Sequence, residues 1–138
     1  MYKLIEPEVA GGLGDKTEMD NSFFPPLIKT LNYEFDGWLG DDILESFPCY
    51  IMTEVLRKGV EAEGLTGIYF SEVLISKSET FLELYSNRDL PNFFWAKISG
   101  EPYKDDFFIT EQNTLAISEK AYFLLKKYSI NHADIEYL

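Results

Sequence analysis

One histidine, His132, and one cysteine, Cys49, are the residues from which a nucleophilic mechanism would have to be assembled. A thiolate attacks and an imidazole moves the proton, so such a pair needs mutual contact and a third group to orient the ring. Cys49 falls in the first turn of an expected helix, and a helix N-terminus lowers a thiol pKa. It also stands among Phe47, Tyr50, Ile51 and Met52, where a small buried residue is the commoner role. The chain offers no local nucleophile signature and no evident orienting group. Cys49 and His132 are therefore read as structural, and no catalytic residue is assigned.

Carboxylates are the second resource. Asp36, Asp41, Asp42 and Glu45 cluster in sequence, and Asp105 and Asp106 form another pair. Paired carboxylates can bind a hard cation or carry out acid–base chemistry. A calcium loop needs alternating ligands, a central glycine and a closing glutamate, and Glu45 does not complete that pattern from Asp36. Acidic residues ahead of a helix also have a simpler cause, the positive end of the helix dipole. A third reading makes the loop a recognition surface, because Trp38 lies between Gly37 and Gly40 and tryptophan is enriched at interface hot spots. Its rival folds Trp38 back as a lid on the core. The expected partner-binding residues are Asp36, Trp38, Asp41, Asp42, Glu45, Asp105 and Asp106; no metal or cofactor site is assigned. Gly12-Leu13-Gly14 lacks the third glycine and following helix of a dinucleotide loop, and reads as a turn.

Composition narrows the partner. The chain has 138 residues, 24 acidic and 12 basic side chains and a formal net charge of −12. Phosphate binding needs concentrated Lys and Arg, so nucleic acid and an anionic membrane surface are disfavoured. A basic protein partner is favoured, because opposite fields steer association; acidity for solubility alone is the plainer alternative. With 46% hydrophobic and 16% aromatic residues, the chain is long and apolar enough to bury a core as one domain. A single cysteine excludes an intrachain disulfide and a cysteine-held zinc. MYKLIEPE is not a signal peptide and no apolar run approaches the roughly 20 residues of a membrane helix, so the expected compartment is the cytoplasm.

The elements that must position these groups follow from pattern. Residues 1–10 read as a short strand limited by Pro7, and the Gly- and Asp-rich residues 10–26 as loop. A strand is expected around 31–35. Ser46 caps an expected helix over 46–63 with Pro48 in its first turn and Met52, Val55, Leu56 and Val60 as its apolar stripe. Gly64 ends it, and residues 67–76 read as a strand. Residues 80–85 read as strand or short helix, 93–99 as a strong strand, 107–110 and 114–118 as short strands. Ser118 caps a second helix over 119–129, and 133–138 returns as a last strand or tail. The expected fold is a single α+β domain, with residues 1–35 partly loop-like. A largely antiparallel sheet of about five or six strands carries the two main helices.

The order of these features resembles a family. An acidic Gly-Trp loop and a helix lead to Gly64-Leu65-Thr66-Gly67 and an aromatic strand. Leu90-Pro91-Asn92-Phe93-Phe94-Trp95 and Asp105-Asp106-Phe107-Phe108-Ile109 follow. Leu115-Ala116-Ile117-Ser118-Glu119-Lys120-Ala121 then opens the last helix. Over most of residues 36–138 this is similar to the small immunity proteins of bacterial polymorphic and contact-dependent toxin systems. The resemblance implies a cytoplasmic, non-enzymatic protein that binds and blocks one cognate toxin domain, often a basic nuclease. It transfers no functional residue by position. Two other classes stay open: a small carboxylate-dependent hydrolase or metal-binding enzyme, and an adaptor or structural domain.

Overall fold

Pairing between the chain's two ends organises one side of the molecule. In the computed structural model, which describes all of residues 1–138, strand β1 (Tyr2–Glu6) lies between β12 (Leu115–Ser118) and β13 (Asp134–Tyr137), antiparallel to both. β11 (Phe107–Ile109) completes this sheet in the order β11-β12-β1-β13. A second sheet has the order β6-β7-β10-β8, from β6 (Ile43–Ser46), β7 (Cys49–Thr53), β10 (Phe93–Ile98) and β8 (Ile68–Ser71). A third joins β2 (Gly11–Leu13), β5 (Asn32–Phe35) and β9 (Leu74–Lys77), where β5 and β9 run parallel. A ribbon of β3 (Glu18–Asp20) and β4 (Leu27–Thr30) completes the strands. Three helices are present: α1 (Glu54–Ala62), α2 (Glu79–Leu84) and α3 (Glu119–Leu125). The class is α+β with mostly antiparallel pairing, as expected, but the strands divide among four sheets. No helix is long and apolar enough to cross a membrane.

The largest departure lies at residues 46–53. The expected helix start is instead the β6–β7 hairpin, turning at Phe47-Pro48 through a cis peptide bond, so Ser46 pairs with Cys49 and caps nothing. The helix begins at Glu54 behind Thr53, whose hydroxyl accepts from the Leu56 N–H. The physical reason is that β7 is buried on both faces. Cys49 and Ile51 enter one core; Tyr50 and Met52 enter the other. A strand buried on both faces shows no alternation, and a short apolar run then reads equally as helix. Of the expected stripe, Leu56 and Val60 are buried, while Val55 is exposed.

Other boundaries also shift. Residues 10–26 contain β2 and β3. Residues 67–76 split into β8 and β9, which join different sheets. Residues 80–85 are mostly the helix α2, capped by Ser78. Gly64 does end α1 with φ +65°, the left-handed conformation open to glycine. Ser118 does cap α3, accepting from the Ala121 N–H at 3.1 Å, but that helix stops at Leu125.

One core packs α1 and α3 between the first two sheets, through Ile5, Met52, Leu56, Val60, Ala96, Leu115, Ile117, Ala121 and Leu125. The other is aromatic, with Tyr33, Phe35, Phe81, Phe93 and Trp95 around Leu44 and Ile51. Both cores take residues from β6 and β7, and that hairpin carries the acidic cleft.

Candidate functional site

The sequence clusters Asp41 and Asp42 with a helix; the structure turns both inward. Asp41 is fully buried. One of its oxygens accepts from the His132 main-chain N–H at 2.8 Å, and the other meets His132 Nδ1 at 2.9 Å. A carboxylate only accepts, so Nδ1 carries the proton and Nε2 is left without a protein partner. Asp42 accepts from the Thr53 hydroxyl and from the Ser129 N–H, each at 2.8 Å. These two carboxylates thus staple the segment after α3 to the second sheet. Glu8, also buried, accepts from the N–H groups of Leu39 at 2.8 Å and Asp41 at 3.4 Å.

Ligand atoms of Glu8, Asp41 and His132 lie within 4.8 Å of one another. Their oxygens and Nδ1 already exchange hydrogen bonds with the chain, so the cluster is accounted for as a structural staple.

His132 opens onto a cleft of about 680 Å³. Its walls come from the end of β1, residues 7–9, the β6–β7 hairpin, residues 113–114 and the start of β13. The pairings explain the assembly. Glu45 N–H donates to the Glu8 carbonyl at 2.9 Å, which lays residues 7–9 along β6. The β1–β13 register places Glu6 opposite Asp134. The cleft therefore gathers Glu6, Glu8, Glu45 and Asp134, with no Lys or Arg in its wall. Burial, and then the Glu6 charge, push the Glu45 carboxyl up to about 6.

Across the Phe47-Pro48 turn lies a smaller apolar groove of about 330 Å³, walled by Pro26, Leu27, Pro48, Tyr69, Trp95 and Ile98 among others. Tyr50 forms part of both concavities.

The sequence-predicted site residues do not converge. Only Glu45 lines the acidic cleft, with Asp41 behind it holding His132. Asp41, expected as a surface charge partner, presents no surface, and both oxygens of Asp42 are engaged internally. Asp36 is exposed at the end of β5. Asp105 accepts from the Glu101 N–H, and Asp106 ties Thr66 to Ser118 through hydrogen bonds to both. Trp38 is half-buried, its Nε1 donating to the Asp41 carbonyl at 2.9 Å and its ring edge-on to Phe93. It is the lid of the aromatic core.

Sequence reasoning missed Glu6, Glu8, Asp134 and the role of His132. Glu6 and Glu8 lie near one end of the chain and His132 and Asp134 near the other, and the two pairs meet only through the β1–β13 and residue 8–44 pairings, so no local spacing signals them. His132 does have an orienting carboxylate, contrary to expectation. Cys49 is not part of that arrangement: it sits in β7, facing the apolar groove. Burial pushes its thiol up to about 12, the reverse of what a helix N-terminus would do.

No protein-family model matches the chain, and neither does any curated protein.

Proposed function

We propose that this chain is a toxin-neutralising immunity protein that binds a basic toxin domain in the cytoplasm and occludes it without catalysis. The observation that carries the reading is the cleft's charge. Glu6 and Asp134 stand directly opposite across a strand pair, an arrangement that destabilises a sheet, and Glu45 and Glu8 add to it without a compensating Lys or Arg. Such a site suits the Lys or Arg side chains of a basic partner, and the net charge of −12 steers that partner inward. The resemblance in element order to immunity proteins supports the same reading. The test is co-expression in a bacterial host with toxin domains encoded beside this chain. Restored growth together with a stable complex is the expected result; unrelieved killing by every such domain would sink the reading.

A hydrolytic reading has one specific observation behind it: Asp41 orients His132 on the wall of a cleft that also holds Glu45. An imidazole so held can serve as a general base toward water. Turnover of ester, phosphoester or glycoside substrates, abolished by His132→Gln, would favour it over occlusion.

A further inference from the structure

The acidic cleft and the apolar groove are separated by a single turn. Phe47 faces the cleft and Pro48 the groove, while Tyr50 belongs to both. Around this turn several large aromatic and aliphatic side chains are exposed. Phe24 is 82% exposed and Leu27 is 52% exposed. Phe47 and Tyr69 are also exposed, and the Phe24 and Phe47 rings lie 6.2 Å apart. Scattered apolar residues on a surface need no explanation, but a contiguous apolar patch rimmed by charge marks an interaction site.

The charges on the cleft side of the turn have one sign. Elsewhere on the chain Glu54, Glu61 and Glu101 pair with Lys58, Arg57 and Lys104. Glu6, Glu45 and Asp134 form no ion pair and share the cleft. Lys97 is the one cation of the groove, and it lies over the Trp95 ring at 4.2 Å and the Tyr69 ring at 5.6 Å. A second cation is thus repelled from the groove and drawn to the cleft.

We propose that the Phe47-Pro48 turn is the centre of a two-part docking surface. Its occupant is a partner segment that presents a lysine or arginine and a bulky apolar side chain on the same face. The cation enters the cleft among Glu6, Glu45 and Asp134; the apolar side chain fills the groove beside Leu27 and Trp95. This rests on the binding reading above and names the chemistry of the partner's contact. On an extended segment, residues two apart share a face and lie about 7 Å from each other, the scale of one side chain such as Tyr50. The apolar anchor supplies most of the affinity, because exposed ion pairs contribute little, and the cation supplies orientation and rate.

The experiment titrates the full ¹⁵N-labelled chain with a capped Gly-Arg-Gly-Phe-Gly peptide, followed by amide chemical shifts. Shifts clustered on residues 45–47, Cys49, Tyr50, Glu6 and Leu27 are expected. Replacing the peptide's Phe by Ser should abolish them, and replacing its Arg by Gln should weaken binding roughly threefold. In chains with unchanged spectra elsewhere, Phe47→Ser should weaken the parent peptide about fivefold or more and Glu45→Gln about twofold, both being changes at partly exposed positions. Shifts centred on another face, or none at millimolar peptide, overturn the surface. The growth assay separates this from the function. Neutralisation that survives Phe47→Ser combined with Glu45→Gln overturns the surface and leaves the function standing. Peptide shifts at the turn in a chain that neutralises no toxin leave the surface standing and remove the function.

Discussion

Asp41 grips His132 twice, through the main-chain N–H at 2.8 Å and through Nδ1 at 2.9 Å. The two residues are 91 positions apart, so this contact fixes the chain's C-terminal segment against the second sheet. Removing a buried carboxylate that carries such partners should be expensive. Asp41→Ala should lose about 3 kcal/mol, because it orphans two donors of one segment at once. His132→Ala should lose only about 1 kcal/mol, since the main-chain donor remains and the ring is partly exposed. Urea unfolding of both variants measures the difference. Equal losses would show that the ring, and not the main-chain contact, holds the segment.

Glu45 gives the cleft a pH response. Its folded-state value of about 6 lies above its ordinary 4.5, so the folded chain holds this proton more tightly than the unfolded one. The corresponding stability is complete below about 4.5 and is lost as pH rises through about 6. Glu45→Gln, neutral throughout, should therefore become more stable relative to the parent across that window. Binding of a cationic partner should move the other way, strengthening as Glu45 ionises. Thermal unfolding at pH 4.5 and 7 tests the first claim, and a stability difference independent of pH would refute it.

Cys49 should be inert in the folded chain. It is 4% exposed, and its thiol is pushed up to about 12 by burial. Only the thiolate attacks a disulfide reagent, and at pH 8 almost none forms at such a value. A thiol-reactive dye should label the native protein at least about a hundredfold more slowly than the urea-unfolded one. Labelling at comparable rates would return Cys49 to the list of reactive groups.

The fold was legible where strand composition or a capping residue marked an element locally. The strands at 93–99, 107–110 and 114–118, the Gly64 stop and the Ser118 cap all carry local signals. β7 was not legible, because Cys49, Tyr50, Ile51, Met52 and Thr53 are all buried and a strand between two cores loses its period. Proline at 48 then imitated a helix start while in fact turning a hairpin. The site was less legible still. Acidic residues adjacent in sequence, such as Asp41 and Asp42, became internal acceptors. Glu6 and Asp134, at opposite ends of the chain, became neighbours through strand register. Clustering along the chain is a poor guide to clustering in space when the termini pair.

Trp38 separates two accounts of the acidic loop. As an interface anchor it would lie open, and its loss would weaken binding while leaving the fold intact. The ring is instead half-buried against the aromatic core, edge-on to Phe93 with centroids 5.8 Å apart. Its Nε1 donates to the Asp41 carbonyl at 2.9 Å, and the Arg88 guanidinium lies 5.1 Å from its centroid. Truncation removes the packing, the hydrogen bond and the cation–π contact together. Trp38→Ala should therefore destabilise the chain by about 3 kcal/mol. The Asp41 carbonyl would lose its indole donor, so His132 should also shift in an NMR spectrum of the variant. Trp38→Phe restores ring packing without the donor and should recover more than half of the loss, because core packing is the larger contribution. At temperatures well below the variant's melting transition, affinity for a basic partner should be within about threefold of the parent, since Trp38 lies outside the acidic cleft. A variant with parental stability and abolished binding would reverse the assignment and make Trp38 the anchor.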